Sequence, residues 1–218
     1  MFLLTSGLLL GGDFWDDKEF TEWSLKDVTK MMTRSPWAKV VNLSLSNPRP
    51  PGGIGGRSRR GGIGGRPRGL GRGGVIPSFK LMISWRSALP IKQAIVRDRM
   101  GTSMTLPSGA REFLDQQEEF YAVAVAGFPA RIGQMLENSP RKAILDNTFL
   151  KRKKGSIAPD DFLAQKRGTL IDILFFFPKS ANITVGDKDI ELIMKLGPRT
   201  IKKKFKLKDM VLNGNLEL

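Results

Sequence analysis

The chain has 218 residues, a formal net charge of +15, 40% hydrophobic residues and 13 phenylalanines. That apolar content is enough for a packed core, and the charge favours a polyanionic neighbour such as nucleic acid or an acidic envelope surface. The absence of cysteine and histidine excludes disulfides, thiolate nucleophiles, Cys/His zinc sites and histidine-based catalytic triads.

Residues 1–12 read MFLLTSGLLLGG, a short apolar run that ends in two glycines. The run resembles the hydrophobic part of a secretory signal and is too short to span a bilayer. It lacks the basic leading segment and the small-x-small end of such a signal, so an ordinary buried segment is the alternative. We expect an exported protein, periplasmic or extracellular, and a cytoplasmic one if this segment is not a signal.

Residues 13–46 form a Trp-rich N-terminal segment in which the pattern predicts one short helix. Ser24 is suited to cap this helix, Asp27 follows three residues later, and Pro36 ends it. Four apolar residues recur at helical spacing and are expected to share one face: Leu25, Val28, Met31 and Met32.

Three of the four tryptophans, Trp15, Trp23 and Trp37, surround this helix. They are candidate residues for docking a partner, either an unknown protein or an envelope component. The alternative, which we favour, is that the rings attach a short segment to a larger domain, because each ring buries a large apolar area.

Residues 47–74 contain no acidic and no aromatic residue, and they hold 12 of the 24 glycines. A nine-residue unit, GGIGGRSRR, is followed at once by GGIGGRPRG. Glycine at this density predicts a disordered Gly/Arg-rich linker, because its conformational entropy is not offset by packing. Six arginines of the linker are candidate polyanion contacts: Arg57, Arg59, Arg60, Arg66, Arg68 and Arg72.

Two motifs in or near the linker are weaker than they look. RNA-binding Gly-Arg segments usually interleave aromatic residues, and this one has none, so specific RNA binding is possible but not favoured. Residues 69–74 match G-x-G-x-x-G, but a dinucleotide site needs a strand before that motif and a helix after it. We therefore expect a solvated tether.

Residues 75–218 are expected to form an α+β domain. FKLMISW at 79–85 alternates as a strand, and SALPIKQAIVRDRMG predicts a helix with Pro90 in its first turn and Gly101 past its end. FYAVAVAG predicts a central strand and TLIDILFFFP a second buried strand, with short helices at 130–137 and 159–165. Two hairpins are predicted at the end, one between DIELIMKL and TIKKKFKL, the other around Asn213-Gly214.

A lysine ladder occupies the second strand of the first hairpin. Lys202, Lys204, Lys206 and Lys208 are expected on one side, opposite core residues, and could bind a polyanion. The favoured alternative is the solvated face of a sheet, where lysine also discourages edge-to-edge association. Asp172, a lone acid within LIDILFFF, is expected to pair with a nearby cation or to lie where the strand reaches solvent.

The order of these segments resembles a family of uncharacterised bacterial proteins that are generally predicted to be exported. The resemblance is carried by FWDDKEFTEWSLKDVTKMMTRSPWAK, a Gly-rich stretch, SWRSALPIKQAI, ITVGDKDIEL and KFKLKDMVLNGNLEL. It implies an export signal, an N-terminal Trp-rich helix, a flexible linker and a C-terminal α+β domain. It implies no activity and no site residues.

The sequence therefore predicts an α+β fold, mostly antiparallel sheet with a few short helices, preceded by the N-terminal helix and the linker. No catalytic residue, metal ligand or cofactor is assigned, and no transmembrane span is expected. The first hypothesis is a non-catalytic, exported binding or structural protein of the cell envelope or periplasm. The alternative is a cytoplasmic nucleic-acid-binding protein that uses the linker arginines and the lysine ladder. An enzyme that works with carboxylates or lysines alone is a third, unsupported possibility.

Overall fold

A computed structural model describes residues 13–44, 78–103 and 105–218. The signal-like segment 1–12 and the linker 47–74, with its six candidate arginines, lie outside the described residues. Within the described part of the chain, the α-helices are α1 (Phe14–Asp17), α2 (Leu25–Arg34), α3 (Leu89–Met100), α4 (Ala110–Asp115), α5 (Ala130–Glu137) and α6 (Arg141–Asp146). The strands are β1 (Ala38–Ser44), β2 (Ser78–Trp85), β3 (Phe120–Pro129), β4 (Thr148–Arg152), β5 (Gly155–Ile157), β6 (Asp161–Arg167), β7 (Leu170–Pro178), β8 (Asp189–Leu196), β9 (Arg199–Lys206), β10 (Val211–Leu212) and β11 (Asn215–Leu216).

The larger sheet has five strands in the order β1-β2-β3-β7-β6, and every neighbouring pair is antiparallel. The predicted strand 79–85 is β2, and the predicted central strand is β3, which lies in the middle of the sheet. The inner face of this sheet is apolar and includes Ile83, Val123 and Phe175. The expected α+β class with mostly antiparallel sheet is confirmed.

A second sheet covers this inner face, with four antiparallel strands in the order β5-β4-β8-β9. The rings of Trp85 and Phe205 meet edge-to-face, with centroids 5.9 Å apart, and so join β2 to β9. Both predicted hairpins are present, β8–β9 and β10–β11. Asn213 and Gly214 both have positive φ, as the tight two-residue turn between β10 and β11 requires.

The N-terminal segment is built into the sheet. Its helix α2 begins with the predicted capping box, in which Ser24 Oγ accepts the N–H of Asp27 and Asp27 Oδ2 accepts the N–H of Ser24. The expected inward face holds at Val28 and Met31, but Leu25 in the first turn is 61% exposed, so its placement on that face was wrong. The strand β1 follows α2 and pairs along its whole length with β2. The sequence pattern had not indicated β1.

The predicted helix at 159–165 is wrong, because this segment forms the edge strand β6. All seven residues of β6 pair with β7, although only Phe162 among them is buried. The central apolar strand β7 needs a hydrogen-bonding neighbour on each side, and this long-range requirement outweighs the weak local preference of the segment.

Candidate functional site

The outer face of the five-stranded sheet carries a cavity of about 540 Å³. Its floor begins at Ala122 and Ala124 on β3, whose side chains point away from the core shared with the second sheet. In the strand register Ala124 lies opposite Leu174 of β7, which lies opposite Leu163 of β6. Two alanines beside two leucines leave a depression in the sheet, because the alanine methyl groups fill little of the space above β3.

One wall of the cavity comes from helices that follow β2 in the chain. Helix α3 contributes Ile95 and Arg99, and α4 contributes Phe113. Helix α3 forms where the sequence predicts it, with Pro90 in the first turn and Gly101 as its C-terminal cap. The open side of the cavity is at β6, where Leu163 is 58% exposed.

Arg86 is the half-buried cation of this pocket. It follows the last residue of β2, and its N–H donates to the carbonyl oxygen of Ala122 at 2.7 Å, which fixes its backbone beside the floor. Its side chain is half-buried and lines the cavity. Among the described residues, the guanidinium donates no hydrogen bond and lies within 4.0 Å of no carboxylate.

The electrostatic environment of Arg86 is unfavourable for a charge. Burial lowers the pKa of its guanidinium from the ordinary value, and the positive charge of Arg167 lowers it further, while Asp172 opposes both effects. Arginine stays protonated in spite of such a shift, because its ordinary pKa lies far above neutral pH. Arg86 is therefore a partly desolvated cation that would gain from an anionic partner.

Each of the two carboxylates that line the cavity is already compensated. Glu118 pairs with Lys92 at 2.6 Å, and the Lys92 side chain, 3% exposed, also donates to a backbone carbonyl oxygen at 2.9 Å. Asp172 pairs with Arg167 at 2.8 Å and accepts the N–H of Gly127 at 2.8 Å. The expectation that Asp172 pairs with a nearby cation is confirmed.

Asp172 has a structural reason to be in an apolar strand. The β3–β7 register shifts between Val125 and Phe128, which leaves the N–H of Gly127 at an irregularity in the ladder. The carboxylate accepts this N–H and so satisfies a backbone donor that regular pairing would have bonded.

The ionisable side chains at the cavity are not arranged as the acid, base or nucleophile of an active site. The two carboxylates and Lys92 are held in ion pairs, so the cavity offers no free base and no activated nucleophile from among them. In the described part of the chain, no group of three or more acidic residues is placed to hold a metal ion. The arrangement can bind and orient a ligand by apolar contact and by the charge of Arg86.

The three predicted docking tryptophans are all buried in the core of this chain. The rings of Trp15 and Trp37 meet edge-to-face at 5.7 Å, and Phe14 packs on both Trp15 and Trp23. Trp37 Nε1 donates to the carbonyl oxygen of Glu217 at 2.9 Å, near the end of the chain. Less than a tenth of each tryptophan is exposed, so in this conformation the rings attach the N-terminal segment to the rest of the protein.

The predicted lysine ladder lies on the outer face of the second sheet. Lys202, Lys204 and Lys206 are exposed on β9, and Lys208 is exposed in the turn that follows, while alternate residues such as Phe205 are buried. Carboxylates lie across the strand pair, with Asp189 opposite Lys206 and Glu191 opposite Lys204. These acids offset part of the positive charge, and Lys204 Nζ is 3.9 Å from Asp189 Oδ2.

The ladder and the Arg86 pocket lie on outward faces of different sheets, so the ladder lysines are not part of the cavity, and the predicted linker arginines lie outside the described residues. Sequence reasoning missed Arg86, Ala122 and Ala124. The position of Arg86, directly after a strand and before a helix that starts with proline, can be recognised in the sequence, but nothing in the pattern indicates that its side chain has no ion-pair partner among the residues described by the structure.

Comparisons of the chain with protein-family models, with curated proteins and with solved structures find no match. Among the described residues, no helix has both the length and the apolar character needed to cross a bilayer.

Proposed function

We propose that this chain is a non-catalytic binding protein whose ligand occupies the cavity on the outer face of the five-stranded sheet. The observation that carries the proposal is a cavity of about 540 Å³ that combines an apolar floor with one partly desolvated arginine, which has no ion-pair partner among the described residues. A volume in this range, apolar lining and few polar groups are typical of small-molecule sites.

The ion pairing of the described titratable residues at the cavity supports binding over catalysis. The titratable groups beside the floor are used to neutralise one another, as in the Lys92–Glu118 and Arg167–Asp172 pairs. The apolar start of the chain and the resemblance to proteins that are predicted to be exported support action in the cell envelope or periplasm, so the ligand would be met outside the cytoplasm.

The neutral fluorescent probe N-phenyl-1-naphthylamine tests the cavity itself. We expect its fluorescence to rise on titration with the full-length protein, because the probe enters an apolar site. The variant Ala124→Phe should abolish this rise by placing a ring in the cavity, whereas Ala158→Phe, at an exposed alanine outside the cavity, should leave it unchanged. Equal fluorescence for the two variants, both folded by circular dichroism, would refute binding in this cavity.

The second candidate function is polyanion binding, including nucleic acid, by the linker arginines and the lysine ladder. The observation that favours it is the exposure of Lys202, Lys204 and Lys206 on one face of β9. This function predicts that affinity for a single-stranded oligonucleotide falls steeply with salt, is mostly lost when residues 52–74 are deleted, and is reduced when the three lysines become glutamines. An affinity that is independent of salt would exclude it.

A further inference from the structure

The Arg86 pocket has an excess of positive charge. Among its lining residues, Arg86 and Arg99 are cations, Glu118 is neutralised by Lys92, and Asp172 is neutralised by Arg167. Two positive charges therefore remain without a counter-ion within 4.0 Å among the described residues, one half-buried on the floor and one exposed on α3. An anionic group is the chemistry that this pocket lacks.

The polar and apolar parts of the pocket are separated in space. Arg86 lies at the β2 side, and the apolar floor runs from Ala124 across Leu174 to Leu163 at the sheet edge. Three inter-strand steps of about 4.8 Å separate β2, which Arg86 directly follows, from β6, so the sheet face between them is about 14 Å wide. A ligand that fits both parts has an anionic head and an extended apolar body.

The lining also limits the charge of the head. Of the two cations without a counter-ion, only Arg86 is half-buried beside the floor, whereas Arg99 is exposed on α3 and its charge is screened by water and salt. A planar carboxylate matches the fork of a guanidinium, which can donate two parallel hydrogen bonds to it. These features favour a monoanion over a phosphate dianion.

We propose that this pocket binds a monoanionic amphiphile, a carboxylate on an extended apolar chain, with its head on Arg86 and its chain over Ala124 and Leu174 towards Leu163. This assignment rests on the proposed function, since it names the ligand class of the same cavity. The carboxylate supplies the partner that the Arg86 guanidinium does not find among the described residues, and the chain covers the apolar floor that is open to solvent at β6.

Competition against bound N-phenyl-1-naphthylamine tests the assignment with decanoate and, as a neutral analogue, 1-decanol. We expect the full-length protein to bind decanoate more tightly than 1-decanol. Arg86→Met should weaken decanoate about 10- to 150-fold, the range for loss of hydrogen bonds to a charged group, and should change 1-decanol less than about twofold. The matched control Arg131→Met, at an exposed arginine outside the pocket, should change neither.

A second pair of variants keeps the test decisive if Arg86→Met does not fold. Leu163 is mostly exposed at the pocket rim, so Leu163→Glu and Leu163→Gln should both fold. The two new side chains have nearly the same shape and differ in charge. Both variants should weaken decanoate and 1-decanol by similar factors of about 2- to 5-fold, because each removes apolar contact with the end of the chain, which lies away from the head group on Arg86.

The outcomes separate the two proposals. If the neutral probe binds but decanoate and 1-decanol compete equally, with no effect of Arg86→Met or of the Leu163 pair, the amphiphile assignment is overturned and the cavity remains a binding site. If the neutral probe does not bind the folded protein, the proposed function fails, and the ligand assignment fails with it.

Discussion

Asp187 is the most completely buried carboxylate among the described residues, and replacing it with asparagine should be costly. Its side chain has no exposed area and lies between two cations, with Oδ2 3.1 Å from Arg152 Nη1 and Oδ1 3.6 Å from Lys154 Nζ. Oδ2 also accepts the N–H of Thr184 at 3.1 Å, which caps the short turn before β8. The substitution Asp187→Asn keeps the shape of the side chain and removes its charge.

The size of the destabilisation depends on the hydrogen bonds that Arg152 keeps after the substitution. Its side chain is only 13% exposed, and breaking a buried ion pair by removing one partner costs about 3–5 kcal/mol. Arg152 retains hydrogen bonds to the carbonyl oxygens of Ala181 and Asn182, at 2.8 and 3.1 Å, which reduce the cost. We expect Asp187→Asn to lower the free energy of unfolding by about 2–3 kcal/mol, which corresponds to about 4–12 °C in Tm for a chain of this size.

Low pH should reduce the difference in the free energy of unfolding between wild type and Asp187→Asn. Burial by itself would raise the pKa of Asp187, but the Thr184 N–H and the charges of Arg152 and Lys154 outweigh it, so the pKa lies below its ordinary value. A carboxyl with a lowered pKa stabilises the folded state above its unfolded pKa, near 4, and loses that contribution as the pH falls through its folded pKa. The gap between wild type and Asp187→Asn should be complete at pH 6 and should shrink below about pH 4.

Urea denaturation of wild type, Asp187→Asn, Arg152→Met and the double variant measures these quantities. Because the two side chains are in contact, the coupling energy between Asp187 and Arg152 should be about 1 kcal/mol or more. The reasoning is refuted if Asp187→Asn lies within about 0.5 kcal/mol of wild type at pH 6, or if its deficit is the same at pH 6 and pH 3.

Three further substitutions test other contacts. Ser24→Ala should cost about 1 kcal/mol in urea denaturation, because it removes the side-chain acceptor that caps α2, and an unchanged midpoint would contradict this role. Gly133→Ala should cost about 1–3 kcal/mol, since the new Cβ would lie 1.9 Å from Ile171 Cδ1, and the cost should be smaller in an Ile171→Val background. Arg141→Ala should increase concentration-dependent association in sedimentation, because Arg141 Nη2 donates to the Phe162 carbonyl oxygen at the β6 edge, and identical sedimentation of the two proteins would oppose this.

The sequence pattern predicts the regular elements that carry strong local signals. The helix α3 has a proline at its start and a glycine at its end, and β3 and β7 have long apolar runs, so their type and position follow from local chemistry. The Asn213-Gly214 turn is predicted for the same reason, because both residues accept positive φ. The capping box of α2 also lies within four consecutive residues.

Segments with weak local signals take their secondary structure from the strands that pair with them. The segment 161–167 has only one buried residue, and it becomes a strand because β7 offers it a complete hydrogen-bonding edge. The strand β1 is similar, since its partner β2 lies more than 30 residues further along the chain. A single sequence does not reveal which distant segment will supply such an edge.

The candidate site depends still more on tertiary structure. Composition shows that the chain is basic and has no histidine or cysteine, and this already excludes several kinds of chemistry. Which of its cations remain unpaired depends on distances between residues far apart in the chain, as in the pairing of Lys92 with Glu118 and of Arg167 with Asp172. Arg86 becomes the distinctive charge only because folding places it beside alanines of β3 and leaves no carboxylate of the described residues within 4.0 Å of it, since electrostatic compensation is a property of three-dimensional neighbours.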